Sequence, residues 1–183
     1  ILRRSIFKTL RMQFESTSFQ GLMVLTPRVF SDARGYFFES YNLQAMRNAG
    51  LEYNWVQDNQ SHSSYGVIRG LHFQNPPHAQ SKLVRVLHGE ILDVVVDLRR
   101  DQPSFGKSFS VLLSSENKKQ LLIPKGFAHG FSVLSSSATV MYKCDSFYHK
   151  ASEAGIHCND LSLQINWRIP LNEQLISEKD QVL

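Results

Sequence analysis

Chemistry is concentrated in the segment Val67-Ile68-Arg69-Gly70-Leu71-His72-Phe73-Gln74, where a guanidinium and an imidazole stand three residues apart around a glycine. An imidazole with an ordinary pKa near about 6.5 is suited to moving a proton at neutral pH. A guanidinium is suited to gripping an oxyanion through two parallel hydrogen bonds. On a regular strand the two side chains would point to opposite faces, but a bulge at Gly70 would bring both to one side. On this segment alone a histidine merely hydrogen-bonded at a strand end is the more frequent arrangement. Lys82 stands among Leu83, Val84 and Val86, an apolar strand in which a lysine more often turns outward to solvent. His129 follows the turn at Pro124-Lys125-Gly126 and is flanked by Phe127 and Phe131.

A metal centre would need three or four convergent nitrogen, oxygen or sulfur donors. The histidine spacing does not supply them: His72 and His78 are separated by Phe73 to Pro77, His62 sits in a Ser-rich stretch read as a loop, and no nearby Glu completes a set. On these grounds a metal is not expected.

The elements that must carry these groups read as strands. Short β-branched or apolar runs recur at Val67-Ile68, Lys82 to Leu87, Glu90 to Leu98, Ser108 to Leu113, Gln120 to Ile123, Gly130 to Leu134 and Thr139 to Cys144. Gly66, Gly89, Pro103, Gly106, Pro124 and Gly126 punctuate them, the spacing expected of an all-β sandwich or barrel. Phe14 to Val29 reads as further strand, Asp32-Ala33-Arg34-Gly35 as a turn, and Phe37 to Gly50 as the best helix candidate, closed by Gly50. Leu161 to Leu183 mixes polar residues with a few apolar anchors and is expected to dock on the core. No Gly-rich strand-to-helix loop, heptad or solenoid repeat is present, which disfavours nucleotide-binding α/β folds and coiled coils.

With 183 residues, 42% hydrophobic and 20% charged, the chain is sized for a single folded domain. Residues 14–183 are read as that domain, and 1–13 as an N-terminal extension holding the basic cluster Arg3, Arg4, Lys8 and Arg11. A net charge of +4 favours anionic ligands, but without an aromatic-and-basic recognition motif it does not indicate nucleic acid. Cys144 and Cys158 form no CxxC pair, which fits a reducing cytoplasm. No apolar run approaches the roughly 20 residues of a membrane span.

Six stretches in order make a more specific signal than any one residue: Phe30 to Ser40, Val56-Gln57-Asp58-Asn59, Arg69 to Gln74, Lys82 to Val86, Asp93 to Arg99, and Ile123 to Phe131. The last resembles the second motif of cupin barrels. Together they resemble the dTDP-4-dehydrorhamnose 3,5-epimerase family over Phe19 to Asp180. The resemblance implies a cupin-type jelly roll with a few short helices, a homodimer, no cofactor, and a dTDP-sugar substrate. It implies epimerisation at C3 and C5 of dTDP-4-keto-6-deoxyglucose, a step toward dTDP-L-rhamnose. By motif, His72 would be the base, held by Asp180; Lys82 would face the ketone; Tyr142 would be the acid. Tyr148 would stack near thymine, and Arg34, Glu39, Gln57, Asn59, Arg69, His129, Glu153 and Lys179 match positions that bind nucleotide or sugar. Tyr142 as a core aromatic and either arginine as a structural ion pair are the competing accounts of those residues. A relative that epimerises one carbon, a non-catalytic nucleotide-sugar binder and a metal-dependent cupin oxygenase are the competing functions. Two positions depart from the family pattern: Phe147 stands where a second Tyr is common, and Cys158 where an aromatic is frequent.

Overall fold

The computed structural model describes residues 12–183; the basic cluster from Arg3 to Arg11 lies outside them. Fourteen strands follow in order: β1 (Met12–Ser16), β2 (Met23–Pro27), β3 (Phe30–Asp32), β4 (Gly35–Phe37), β5 (Gln57–Ser64), β6 (Val67–Gln74), β7 (Lys82–His88), β8 (Glu90–Asp97), β9 (Ser108–Ser114), β10 (Gln120–Ile123), β11 (Phe127–Val133), β12 (Ser137–Cys144), β13 (Glu153–Gly155) and β14 (Leu175–Ile176). Two short helices accompany them, α1 (Leu43–Asn48) and α2 (Glu178–Gln181). One sheet runs β1-β2-β10-β7-β12-β5 and the other β13-β6-β11-β8-β9, with β14 added alongside β6. The strands therefore pair across long sequence separations, as in a jelly-roll sandwich.

Period-two alternation explains the layers. Val84, Val86, Leu121, Ile123, Ala138 and Val140 from the first sheet meet Ile91, Val95, Leu113, Phe127, Phe131 and Val133 from the second in one core. The opposite parity of the second sheet, with Leu92, Val94, Val96 and Ala128, packs under Cys158 and Trp167 of the C-terminal segment. The outer face of the first sheet, including Leu25, Leu83 and Leu122, is covered by Met46 of α1 with Tyr53 and Trp55. Both faces of β8 are thus buried, which is why Glu90 to Asp97 reads as a near-continuous apolar run.

Two expectations are revised. The helix read over Phe37 to Gly50 is only Leu43–Asn48; Asn42 caps it by accepting the Ala45 N–H at 3.0 Å, so the chain before it cannot continue the helix. The Ser-rich stretch around His62 is not a loop but strand β5, paired along its length with β12. Its sequence, Gln-Asp-Asn-Gln-Ser-His-Ser-Ser, has no β-branched residue to signal a strand. The C-terminal segment packs on the core: Trp167 is buried and donates from Nε1 to the Cys158 carbonyl at 2.8 Å.

Candidate active site

Toward one end of the sandwich the inward-facing positions change from aliphatic to polar, and a cavity of about 540 Å³ opens there. Lys82 and Tyr142 line it from the first sheet, and Arg69, His72 and His129 from the second; Lys179 and Asp180 of α2 close it. Lys82 has the parity of the core residues Val84 and Val86, and Tyr142 that of Ala138 and Val140. The lysine therefore points inward rather than to solvent.

Arg69 and His72 reach the same cavity because of a bulge. Between the pairs His72↔His129 and Arg69↔Phe131 the strand β6 spends one residue more than β11. Gly70 takes up the excess at φ +107°, and a Cβ there would lie 2.6 Å from the His129 carbonyl oxygen. Only glycine fits such a position without displacement. The bulge also turns the Gly70 N–H toward Asp180, whose Oδ2 accepts it at 3.3 Å.

The second oxygen of that carboxylate meets His72: Nε2 to Asp180 Oδ1 is 2.7 Å. Asp180 is 3% exposed although it lies three residues from the last one given. Ser177 caps α2 by accepting the Asp180 N–H, β14 pairs in parallel with β6, and Leu183 lies against Gly155. These contacts hold the carboxylate in place from three sides.

Electrostatics suit the cavity to proton traffic. Burial lowers the Lys82 ammonium pKa below the ordinary lysine value, opposed by Cys144, Asp93 and Glu153. Burial pushes the Tyr142 phenol up, so it keeps its proton at neutral pH. The Lys82 ammonium lies 5.6 Å from the Tyr142 ring centre. His129 donates from Nε2 to both oxygens of the Asp93 carboxylate, at 3.0 and 3.1 Å.

At the rim a polar chain joins four elements. Gln57 Oε1 accepts the Tyr148 N–H at 3.0 Å, the Tyr148 hydroxyl donates to Glu153 at 2.9 Å, and Lys179 pairs with Glu153 at 2.7 Å. Burial alone would raise the Glu153 carboxyl, but the hydrogen bonds from Lys179 and Tyr148 outweigh it and hold it below the usual range. Gln57 Nε2 also donates to Asn59 Oδ1 at 3.0 Å. The Tyr148 ring is exposed.

Of the thirteen site residues expected from sequence, seven line the cavity: Arg69, His72, Lys82, His129, Tyr142, Lys179 and Asp180. Gln57, Asn59, Tyr148 and Glu153 form the rim instead. Arg34 and Glu39 are not among the lining residues. Arg34 sits at the turn of the β3–β4 hairpin with its side chain 90% exposed, paired with Asp32 at 2.6 Å; Glu39 follows that hairpin and accepts from Asn42 at 3.2 Å. Sequence reasoning assigned no role to Asp93 or Ser61. Asp93 was hidden inside an apolar run, where its inward parity with Ile91 and Val95 was the available signal. Ser61 was hidden in the unrecognised strand β5. Among the described residues no group of three or more His, Cys, Asp or Glu is placed to hold a metal ion.

Comparison with known proteins adds an independent line. Residues 16–183 match the family model described as dTDP-4-dehydrorhamnose 3,5-epimerase. The dTDP-4-dehydrorhamnose 3,5-epimerase of Escherichia coli K12 is 50% identical over 169 residues, 91% of this chain and 90% of that protein. A crystal structure of the Bacillus anthracis epimerase with TDP and PPi bound is 45% identical and covers 94% of this chain and 98% of its own, with a TM-score of 0.91. The Legionella pneumophila epimerase in complex with dTDP-4-keto-L-rhamnose is 44% identical, covering 93% and 90%, with a TM-score of 0.89.

Proposed function

This chain belongs to the dTDP-4-dehydrorhamnose 3,5-epimerase family, and on that premise we propose that His72 and Tyr142 invert C3 and C5 of dTDP-4-keto-6-deoxyglucose from opposite walls of the cavity. The enzyme is an isomerase of the dTDP-L-rhamnose route. The observation that carries the assignment of roles is the placement of His72 on one sheet and Tyr142 on the other. Inversion needs a proton removed from one face of a carbon and returned to the other.

His72 acts as the base through Nδ1, because Nε2 is committed to Asp180. The carboxylate fixes the tautomer and stabilises the imidazolium that forms. Removing the proton beside the C4 ketone develops charge on the ketone oxygen, and the inward-pointing Lys82 ammonium meets it. Tyr142, with its hydroxyl kept protonated by burial, returns a proton to the far face. The enolate then collapses to the ketone with the centre inverted. The His72 imidazolium then loses its proton to solvent and the Tyr142 phenolate regains one, so that two such cycles, one at each carbon beside the ketone, complete the reaction.

Arg69, His129 and Lys179 supply cationic or hydrogen-bonding groups for the sugar and diphosphate, and the exposed ring of Tyr148 offers a face for thymine. We further propose a homodimer working in the cytoplasm. The β3–β4 hairpin carries Arg34 between the exposed rings of Phe30, Tyr36 and Phe37, an arm suited to a second copy, where Arg34 and Glu39 would meet nucleotide. Both cysteines are free and buried, and among the described residues no helix is long and apolar enough to cross a membrane. Incubating purified protein with dTDP-4-keto-6-deoxyglucose and identifying the product by NMR tests the reading. Formation of dTDP-4-keto-L-rhamnose supports it; unchanged substrate refutes it.

A further inference from the structure

Asp93 is the least expected group in the core. It lies on the inner face of β8 between Ile91 and Val95, all three fully buried, where a carboxylate is costly unless compensated. Its hydrogen-bond partner is His129, whose Nε2 lies 3.0 and 3.1 Å from its two oxygens. His129 in turn is opposite His72 in the β6–β11 ladder. Two carboxylate-bound imidazoles thus stand side by side on the cavity wall. The His72 pair accounts for proton abstraction, and nothing in that step requires the second.

We propose that Asp93 is a positioning residue for the epimerisation: it accepts from His129 Nε2 so that Nδ1 is left for the substrate, and its charge acts on Lys82, the group that meets the developing oxyanion. The inference rests on the reading of Lys82 given above. The ionisable groups acting on Lys82 are Asp93 from β8, Cys144 from β12 and Glu153 from β13, and Arg69, His72, His129 and Tyr142 share the cavity with it. The Cys144 thiol is pushed up by burial and is neutral at physiological pH. Glu153 is committed to Lys179. Asp93 is thus one of the groups that oppose the desolvation of Lys82, which still lowers its pKa overall. No bond to Asp93 forms or breaks in the reaction.

The test compares wild-type protein and Asp93→Asn in steady-state kinetics across pH. The expected result is a fall in kcat on the order of 10–100-fold with little change in KM, and an alkaline limb of kcat displaced to lower pH as Lys82 loses its supporting charge. A folded variant with kcat within about two-fold of wild type, or with reduced kcat and an unmoved alkaline limb, would overturn the proposal. Should the variant not fold, long-range ¹⁵N NMR of histidine-labelled wild-type protein decides: a proton on His129 Nε2 supports the arrangement, and a neutral ring protonated only on Nδ1 refutes it. Wild-type turnover measured alongside separates this from failure of the epimerase reading, which would abolish activity before any variant is made.

Discussion

At the scale of single residues, the two walls of the cavity predict two different defects. His72→Asn keeps an amide that can still donate to Asp180, so the buried carboxylate is not stranded, while the base is gone. Solvent exchange and product formation should both fall by about 10²–10⁴-fold, with the thermal unfolding midpoint near that of wild type. Tyr142→Phe should behave otherwise, because His72 can still remove and return a proton on its own face. Deuterium should continue to enter the substrate while inverted product drops by about 10²–10⁴-fold; equal loss of both would remove Tyr142 from the role of acid. The lowered pKa of Lys82 sets a third expectation. Its protonated form is lost as pH rises through a value below the ordinary 10.5, so kcat should decline on the alkaline side earlier than a solvent-exposed lysine would allow. Lys82→Arg, charged throughout that range, should lack this limb.

At the scale of elements, the bulge in β6 decides whether Arg69 and His72 share a cavity. Gly70→Ala places a Cβ against the His129 carbonyl at a backbone angle L-residues avoid, and should destabilise the fold by about 2 kcal/mol or more. Activity should fall further than stability does, since the Gly70 N–H and His72 both anchor Asp180; a variant with normal kcat and melting behaviour would contradict the geometry. This bulge was legible in the sequence, because a glycine stood between two polar groups that alternation would have separated. The strand runs were legible too, from their β-branched residues and glycine punctuation. Strand β5 was not, since its side chains carry no apolar alternation and it is held by its pairing with β12. The pairing of His72 with Asp180 came from family resemblance rather than from any local pattern: 108 residues separate them, and only the docking of the C-terminal segment brings them together.

At the scale of the whole molecule, the rim and the hairpin relate the cavity to its surroundings. Glu153 ties Tyr148 to Lys179, and its lowered pKa means that the stability it contributes is present above about 4.5 and is lost as pH falls through its folded value. Comparing melting points of wild type and Glu153→Gln should show a gap at pH 7 that closes in acid. Arg34 and Glu39, expected in the site and placed outside this chain's cavity, would connect activity to assembly in the proposed homodimer. Those positions were legible as motif members, but a single chain gives no pattern for where an arm lands. The central claim remains proton transfer at the two carbons beside a ketone. It is tested most directly by incubating the wild-type protein with dTDP-4-keto-6-deoxyglucose in D₂O and locating the label by NMR: deuterium at both C3 and C5 of the product is predicted, and label at neither carbon or at only one would contradict the account.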